Sequence, residues 1–310
     1  MAKLLAAIAF FLAAASTYEV AGHVVPETRA AVSLHGATTP FTTSTEADDT
    51  GRFSFKKLDA GTYTIAIFVA SRGEARQTIE VGPASADGHG RVNLTIHLKE
   101  SDFVSDPLRR RHAVSARQLT IPGKALRAYE DAQKDLERRD TAAAVQHLEL
   151  AVELAPQFSA AWNHLGTIAY QTRQFARAEE CFRQSLEQDP TSFEPLVNLG
   201  GVLVTAHRLD EALDYNVRAV LTRPNDALAN AQLGMVYFEL GQFDQAVKYL
   251  ERARQTDPAH FSHPQLFLAE IHLRRGEKRE AAEVMDDFLR HHPDYPQAAK
   301  VRQNIEEWRK

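Results

Sequence analysis

The chain has 310 residues, enough for two domains of ordinary size, and its 25% charged and 44% hydrophobic residues are the values of a folded protein, not a disordered one. A net charge of −5 gives no reason to expect nucleic acid as a partner. Cys181 is the only cysteine, which excludes an internal disulfide and any metal site built from several thiolates.

Met1, Ala2 and Lys3 place a positive charge ahead of an unbroken apolar run, 4–15, that ends in Ala13, Ala14 and Ala15. A charged start, a short apolar stretch and small residues at its end form a secretory signal, here residues 1–16, with cleavage expected near Ala15 or Ser16. The run is too short for a bilayer span, which takes about 20 residues. The chain is therefore expected to be exported, either periplasmic or secreted.

From 17 to 98 the texture changes to short alternating runs at 18–25, 30–35, 52–58, 62–69, 76–81 and 91–98, with a weaker one near 41–44. So many short strands in one small segment predict an antiparallel β-sandwich. In the stretch 48–65, Phe53, Phe55 and Leu58 point inward, Gly51 and Gly61 permit turns closed to larger residues, and Tyr63, Ile65 and Ile67 alternate on the returning strand. The pattern D-x-x-G-x-F-x-F-x-x-L-x-x-G-x-Y, with Asp48 or Asp49 as its acid and Gly51 to Tyr63 as the rest, resembles the carboxypeptidase regulatory-like (transthyretin-like) sandwich. Residues 20–24 are similar to that family's opening strand. The resemblance implies a non-catalytic accessory module; some related sandwiches bind sugars, so a glycan-binding or envelope-associated module is the alternative reading. Phe53, Phe55 and Tyr63 keep strand alternation and are assigned to the core, which leaves carbohydrate binding without an aromatic platform. Asn93-Leu94-Thr95 matches a glycosylation acceptor inside a predicted strand and is read as coincidence.

Residues 99–124 break both periodicities and form a linker or strap. Arg109, Arg110 and Arg111 are read as a solvated run, with anionic surfaces as the competing partner.

Beyond 124 the chain repeats. Pro156, Pro190, Pro224 and Pro258 stand 34 residues apart, Pro293 follows after 35, and Ala144, Ala178, Ala212, Ala246 and Ala281 precede them by 12. Repeats at 125–158, 159–192, 193–226, 227–260 and 262–295 each read as helix, turn, helix, and 296–309 as a capping helix. Gly166, Gly200 and Gly234, with Ala132 and Ala269, mark where paired helices pass closely, and the prolines end each second helix. The second unit carries Trp162, Leu165, Gly166, Tyr170, Phe175, Ala178, Phe182, Leu186 and Pro190, and resembles the tetratricopeptide repeat, with Tyr170 one place late. The first unit is degenerate, with Ala128, Asp131 and Asp135 at bulky positions, and Asn216 stands where a large apolar residue is expected. The fold expected is a small antiparallel β-sandwich followed by an α-helical solenoid of five repeats.

The resemblance implies a protein or peptide ligand on the inner face of the first helices. Carried across, the lining residues are Asn163, Thr167, Tyr170, Glu194, Val197, Val204, Leu228, Met235 and Phe238, with Asn198 beside them. Asn198 fits the carboxylate clamp of some relatives, but Asn163, Leu228 and Gln232 occupy its cationic positions, which speaks against a clamp. Met235 and Phe238 are expected either to accept an apolar anchor or to pack on the next helix.

No nucleotide loop, nucleophile elbow or zinc-helix motif appears. His260, His263, His291 and His292 lie at repeat junctions without clear ligand spacing, and Cys181 reads as a half-buried thiol. The residues thus point to a non-enzymatic adaptor with no cofactor, no metal and no nucleic-acid partner; a divergent enzyme is the least supported alternative.

Overall fold

A computed structural model describes residues 17–70, 72–99, 103 and 120–310. The proposed signal, 1–16, and most of the strap, including the arginine run, lie outside the described residues.

The N-terminal unit holds β1 (Tyr18–Val25), β2 (Ala30–Gly36), β3 (Thr42–Ala47), β4 (Arg52–Leu58), β5 (Gly61–Val69), β6 (Gly73–Val81) and β7 (Arg91–His97). They form two sheets, in the orders β4-β1-β7 and β3-β2-β5-β6. All pairs are antiparallel except β1 and β7, which run parallel from Glu19↔Arg91 to Val25↔His97. The sandwich is therefore mixed, because the chain crosses between the sheets before entering β7.

Local chemistry explains the central hairpin. Phe53 and Phe55 alternate into the core, edge to face at 5.9 Å. Gly22 lies under the Phe53 ring, where an added Cβ would come within 2.0 Å of Cζ. Lys57 adopts φ 59°, opposite a register shift between Tyr18 and Val20, and this bulge returns Leu58 to the fully buried inner face. The acid of the motif is Asp48: its Oδ1 accepts from the Thr50 and Arg52 amides at 2.9 and 3.0 Å, and from Thr50 Oγ1 at 2.7 Å. Asp49 instead pairs with Arg29 at the surface. Asp87 builds the same turn before β7, accepting from the His89 and Arg91 amides, and Gly51 and Gly90 both take φ 73° to close these turns.

The array contains α1 (Gly123–Glu137), α2 (Thr141–Leu154), α3 (Ser159–Gln171), α4 (Phe175–Gln188), α5 (Phe193–Thr205), α6 (Leu209–Thr222), α7 (Ala227–Glu239), α8 (Phe243–Thr256), α9 (Pro264–Arg274), α10 (Lys278–His291) and α11 (Ala298–Trp308). Within a unit, the second helix presses a side chain onto the small residue of the first: a Cβ at Gly166 would sit 2.6 Å from Phe182, and one at Gly234 2.7 Å from Leu250. Ala144, Ala178, Ala212, Ala246 and Ala281 are completely buried on the opposing helices. Apolar clusters then link each unit to the next, so no single centre holds the array. Val301 and Ile305 of α11 close the last face against α10.

The turn inside each unit has its own column. Arg139, Arg173, His207, Gly241 and Gly276 all have positive φ, from 54° to 78°. Each helix before such a turn ends with a bond from the following residue back across six residues, as in Gln174 N–H to the Ala169 carbonyl at 2.8 Å. In the third unit Asn216 replaces the aromatic or leucine that covers the glycine elsewhere. It is fully buried against Gly200, and neither of its amide atoms has a hydrogen-bond partner.

Three substitutions test these assignments. Arg173→Gly and His207→Gly each remove left-handed strain and are expected to add about 0.5–1 kcal/mol in urea denaturation; no gain would show those turns to be unstrained. Asn216→Leu is expected to stabilise the array by about 1–2 kcal/mol by removing the unpaired buried amide. A loss of stability would show that the amide is bonded.

Candidate partner-binding surface

The first helices of successive units, α3, α5 and α7, set the inner face. Their small residues bring neighbouring helices close, so side chains three or four apart on one helix meet those of the next. Asn198 on α5 donates from Nδ2 to Asn163 Oδ1 on α3 at 3.1 Å and lies 3.5 Å from Thr167 Oγ1, which itself donates to the Asn163 carbonyl. Gln232 on α7 extends this run. Its Nε2 lies where a Cβ at Gly201 would be only 2.6 Å away, and its buried Oε1 has no hydrogen-bond partner. Hydrogen-bonding side chains thus cross the first helices of three consecutive units.

The other predicted lining residues are placed differently. Val197 is 2% exposed, packed with Phe193, Leu196, Ala219 and Ala229. Phe238 meets Phe243 and Phe267 at 5.8 and 5.3 Å, under the Arg274 guanidinium, and Met235 joins the same cluster. Val204 and Leu228 are half-buried against neighbouring helices. Tyr170 is open and stands edge-on to the equally open Phe175 at 5.6 Å. Glu194 accepts from Arg223 at 3.1 Å and from Arg76, a residue of the sandwich, at 3.3 Å.

That last pair belongs to a wider contact: the sandwich lies against the array along its length. Over the first two units, Thr43 Oγ1 donates to Glu137 at 2.7 Å, Arg139 pairs with Asp59 at 2.9 Å and covers the Phe41 ring, and Gln171 Nε2 donates to the Gly36 carbonyl. Farther along, the Thr78 amide donates to Asp257 at 2.9 Å, His292 Nδ1 lies 2.6 Å from Glu80, and the Ala84 amide donates to Asp294 at 3.1 Å. Sequence reasoning missed this contact. Its signal is the residue before the last three repeated prolines: Arg223, Asp257 and His292 are polar yet 8%, 4% and 0% exposed.

Burial sets the charge states here. Desolvation holds His164 near 4, with its ring stacked on Tyr129, and holds His260 near 3 and His263 near 4, so all three are neutral at pH 7. Desolvation pushes Asp257 up to about 6, opposed by the hydrogen bond that the Thr78 amide donates. The Cys181 thiol is pushed up to about 11 by burial, leaving it unreactive at neutral pH. Among the described residues no three His, Cys, Asp or Glu side chains are grouped to hold a metal ion, and no helix is long and apolar enough to cross a membrane.

Family models described as tetratricopeptide repeat match residues 159–192, 203–265 and 237–305. The Cell division cycle protein 16 homolog of Homo sapiens is 30% identical over 112 residues, covering 33% of this chain and 18% of the relative. The chain therefore spans less than a fifth of the curated relatives it matches. Among solved structures, PilW, a type IV pilus biogenesis factor, superposes with TM-score 0.52 at 23% identity over 60% of this chain and 91% of that one. MamA from Desulfovibrio magneticus RS-1 gives 0.50 at 21% identity over 57% and 99%. These likenesses are likenesses of fold. Repeating columns, close-packed helix pairs and family models agree that the helical part of this chain is an array of tetratricopeptide repeats.

Proposed function

We propose that the protein is an exported, non-enzymatic adaptor that holds a protein or peptide segment on the inner face of its repeat array. The sandwich, of the carboxypeptidase regulatory-like kind, is its accessory module. One observation carries the reading: Asn163, Thr167, Asn198 and Gln232 line up across three helices, with Asn198 bonded to Asn163 and the buried Gln232 Oε1 without a hydrogen-bond partner. Such groups exchange partners at little cost, and an extended backbone offers the alternating donors and acceptors they need. The apolar side chains beside them are committed to helix packing, so the ligand is recognised mainly through hydrogen bonds. Export rests on the charged start and apolar run of residues 1–16. The glycan-binding alternative is not favoured, since Phe53, Phe55 and Tyr63 are buried and only Phe68 among the described sandwich rings is strongly exposed.

A photoreactive residue at Asn198, with one at Leu221 on the outer helix α6 as control, tests the placement in living cells. The partner is expected to crosslink from Asn198 and not from Leu221. Asn163→Ala/Asn198→Ala is expected to weaken its capture about tenfold or more while the melting temperature stays unchanged. Crosslinking from Leu221 alone would place the partner on the opposite face.

A further inference from the structure

Proline bars the residue before it from helical geometry, and the array repeats that restriction at every unit. Arg223, Asp257 and His292 end their helices with φ between −143° and −126° and ψ between 64° and 90°. Three polar side chains thereby leave α6, α8 and α10, the second helices of three successive units, at equivalent places. Along this column lies β6, the edge strand of its sheet, with β5 on its other side. Its residues meet the repeats in alternation. Arg76 faces Glu194, which Arg223 also holds; the Thr78 amide donates to Asp257; Glu80 pairs with His292. One strand position in two is read by one repeat in turn.

The seam has the composition of a contact made to open. Among the described residues, no buried apolar cluster combines the two units: one cluster is wholly sandwich and the others wholly array. Thr78 Oγ1, Asp257 Oδ1 and His292 Nε2 are buried there without hydrogen-bond partners, each an uncompensated cost of docking. Polar seams of this kind between domains resemble transient interfaces.

We propose that β6 is a displaceable occupant held in cis, and that the third to fifth repeats bind in trans an extended segment of the same chemistry: a cation, two residues on a free backbone N–H, and two residues further a carboxylate. The polar groups on the array select that order. Glu194 takes the cation and His292 the carboxylate, while Asp257, kept from water, requires a donor such as a backbone N–H. Displacement uncovers these groups without breaking either core, so the sandwich sets a threshold that a partner must exceed. The existence of a trans partner rests on the adaptor reading; the recognition of a strand does not.

The test uses the full chain and a fluorescein-labelled peptide of residues 73–81, read by anisotropy, with amide exchange of β6 followed by mass spectrometry. Arg76→Glu/Glu80→Lys reverses the two charges of β6 that pair with the array and leaves the array untouched. Wild-type protein is expected to bind the peptide weakly, since its own β6 competes. The variant is expected to exchange its Thr78 amide at least tenfold faster and to bind the peptide at least tenfold more tightly, while a peptide carrying the same two reversals does not bind. Faster exchange without tighter binding would show that the repeats do not read the strand. Unchanged exchange and binding would show β6 to be a permanent part of the structure. Either result overturns the proposal and leaves the crosslinking from Asn198 unaffected.

Discussion

The exclusion of pre-proline residues from helical geometry is the constraint on which the rest of the molecule depends. It stops each second helix at the same length, which keeps the units in phase and lets Gly166, Gly200 and Gly234 meet their covering side chains at equivalent heights. It also frees one side chain per unit from the helix; Asp257 and His292 reach the sandwich, while Arg223 holds Glu194, which meets Arg76. A restriction on one dihedral angle thus serves the period, the packing and the contact between domains together.

The two units obtain stability in different ways. In the sandwich the inner faces of two sheets share one apolar core, and bulge and turn residues keep the strand alternation correct across the hairpin. In the array each helix pair leaves an apolar face that only the next pair covers, so stability is spread along its length. What joins them is charge and hydrogen bonding. The array consequently presents two regions of distinct character, a polar run at Asn163, Thr167 and Asn198 on its first helices and a polar ladder beneath β6 at the ends of its second helices.

Much of this architecture was legible in the sequence because it is periodic. Prolines, alanines and glycines at a fixed spacing specify helix ends and close contacts whatever surrounds them, and the alternation of Phe53, Phe55, Tyr63 and Ile65 specifies strand faces in the same way. The parallel pairing of β1 with β7 was not legible, since alternation within a strand says nothing about the direction of a distant neighbour. The pre-proline ladder escaped notice because Arg223, Asp257 and His292 share a place but not a residue type. The left-handed column was hidden likewise, with Arg139, Arg173 and His207 standing where Gly241 and Gly276 advertise the turn. On the inner face, spacing identified which residues share a side. It did not say how deeply neighbours would cover Val197 and Phe238, which depends on the size of side chains one repeat away.

The position of β6 carries one more consequence. A strand at the margin of a sheet offers unpaired main-chain groups to any other strand it encounters, the usual route to sheet-to-sheet polymerisation. Here the repeats cover that margin, with Asp257 holding the Thr78 amide and Asp294 the Ala84 amide. The array therefore also acts as a guard against self-association.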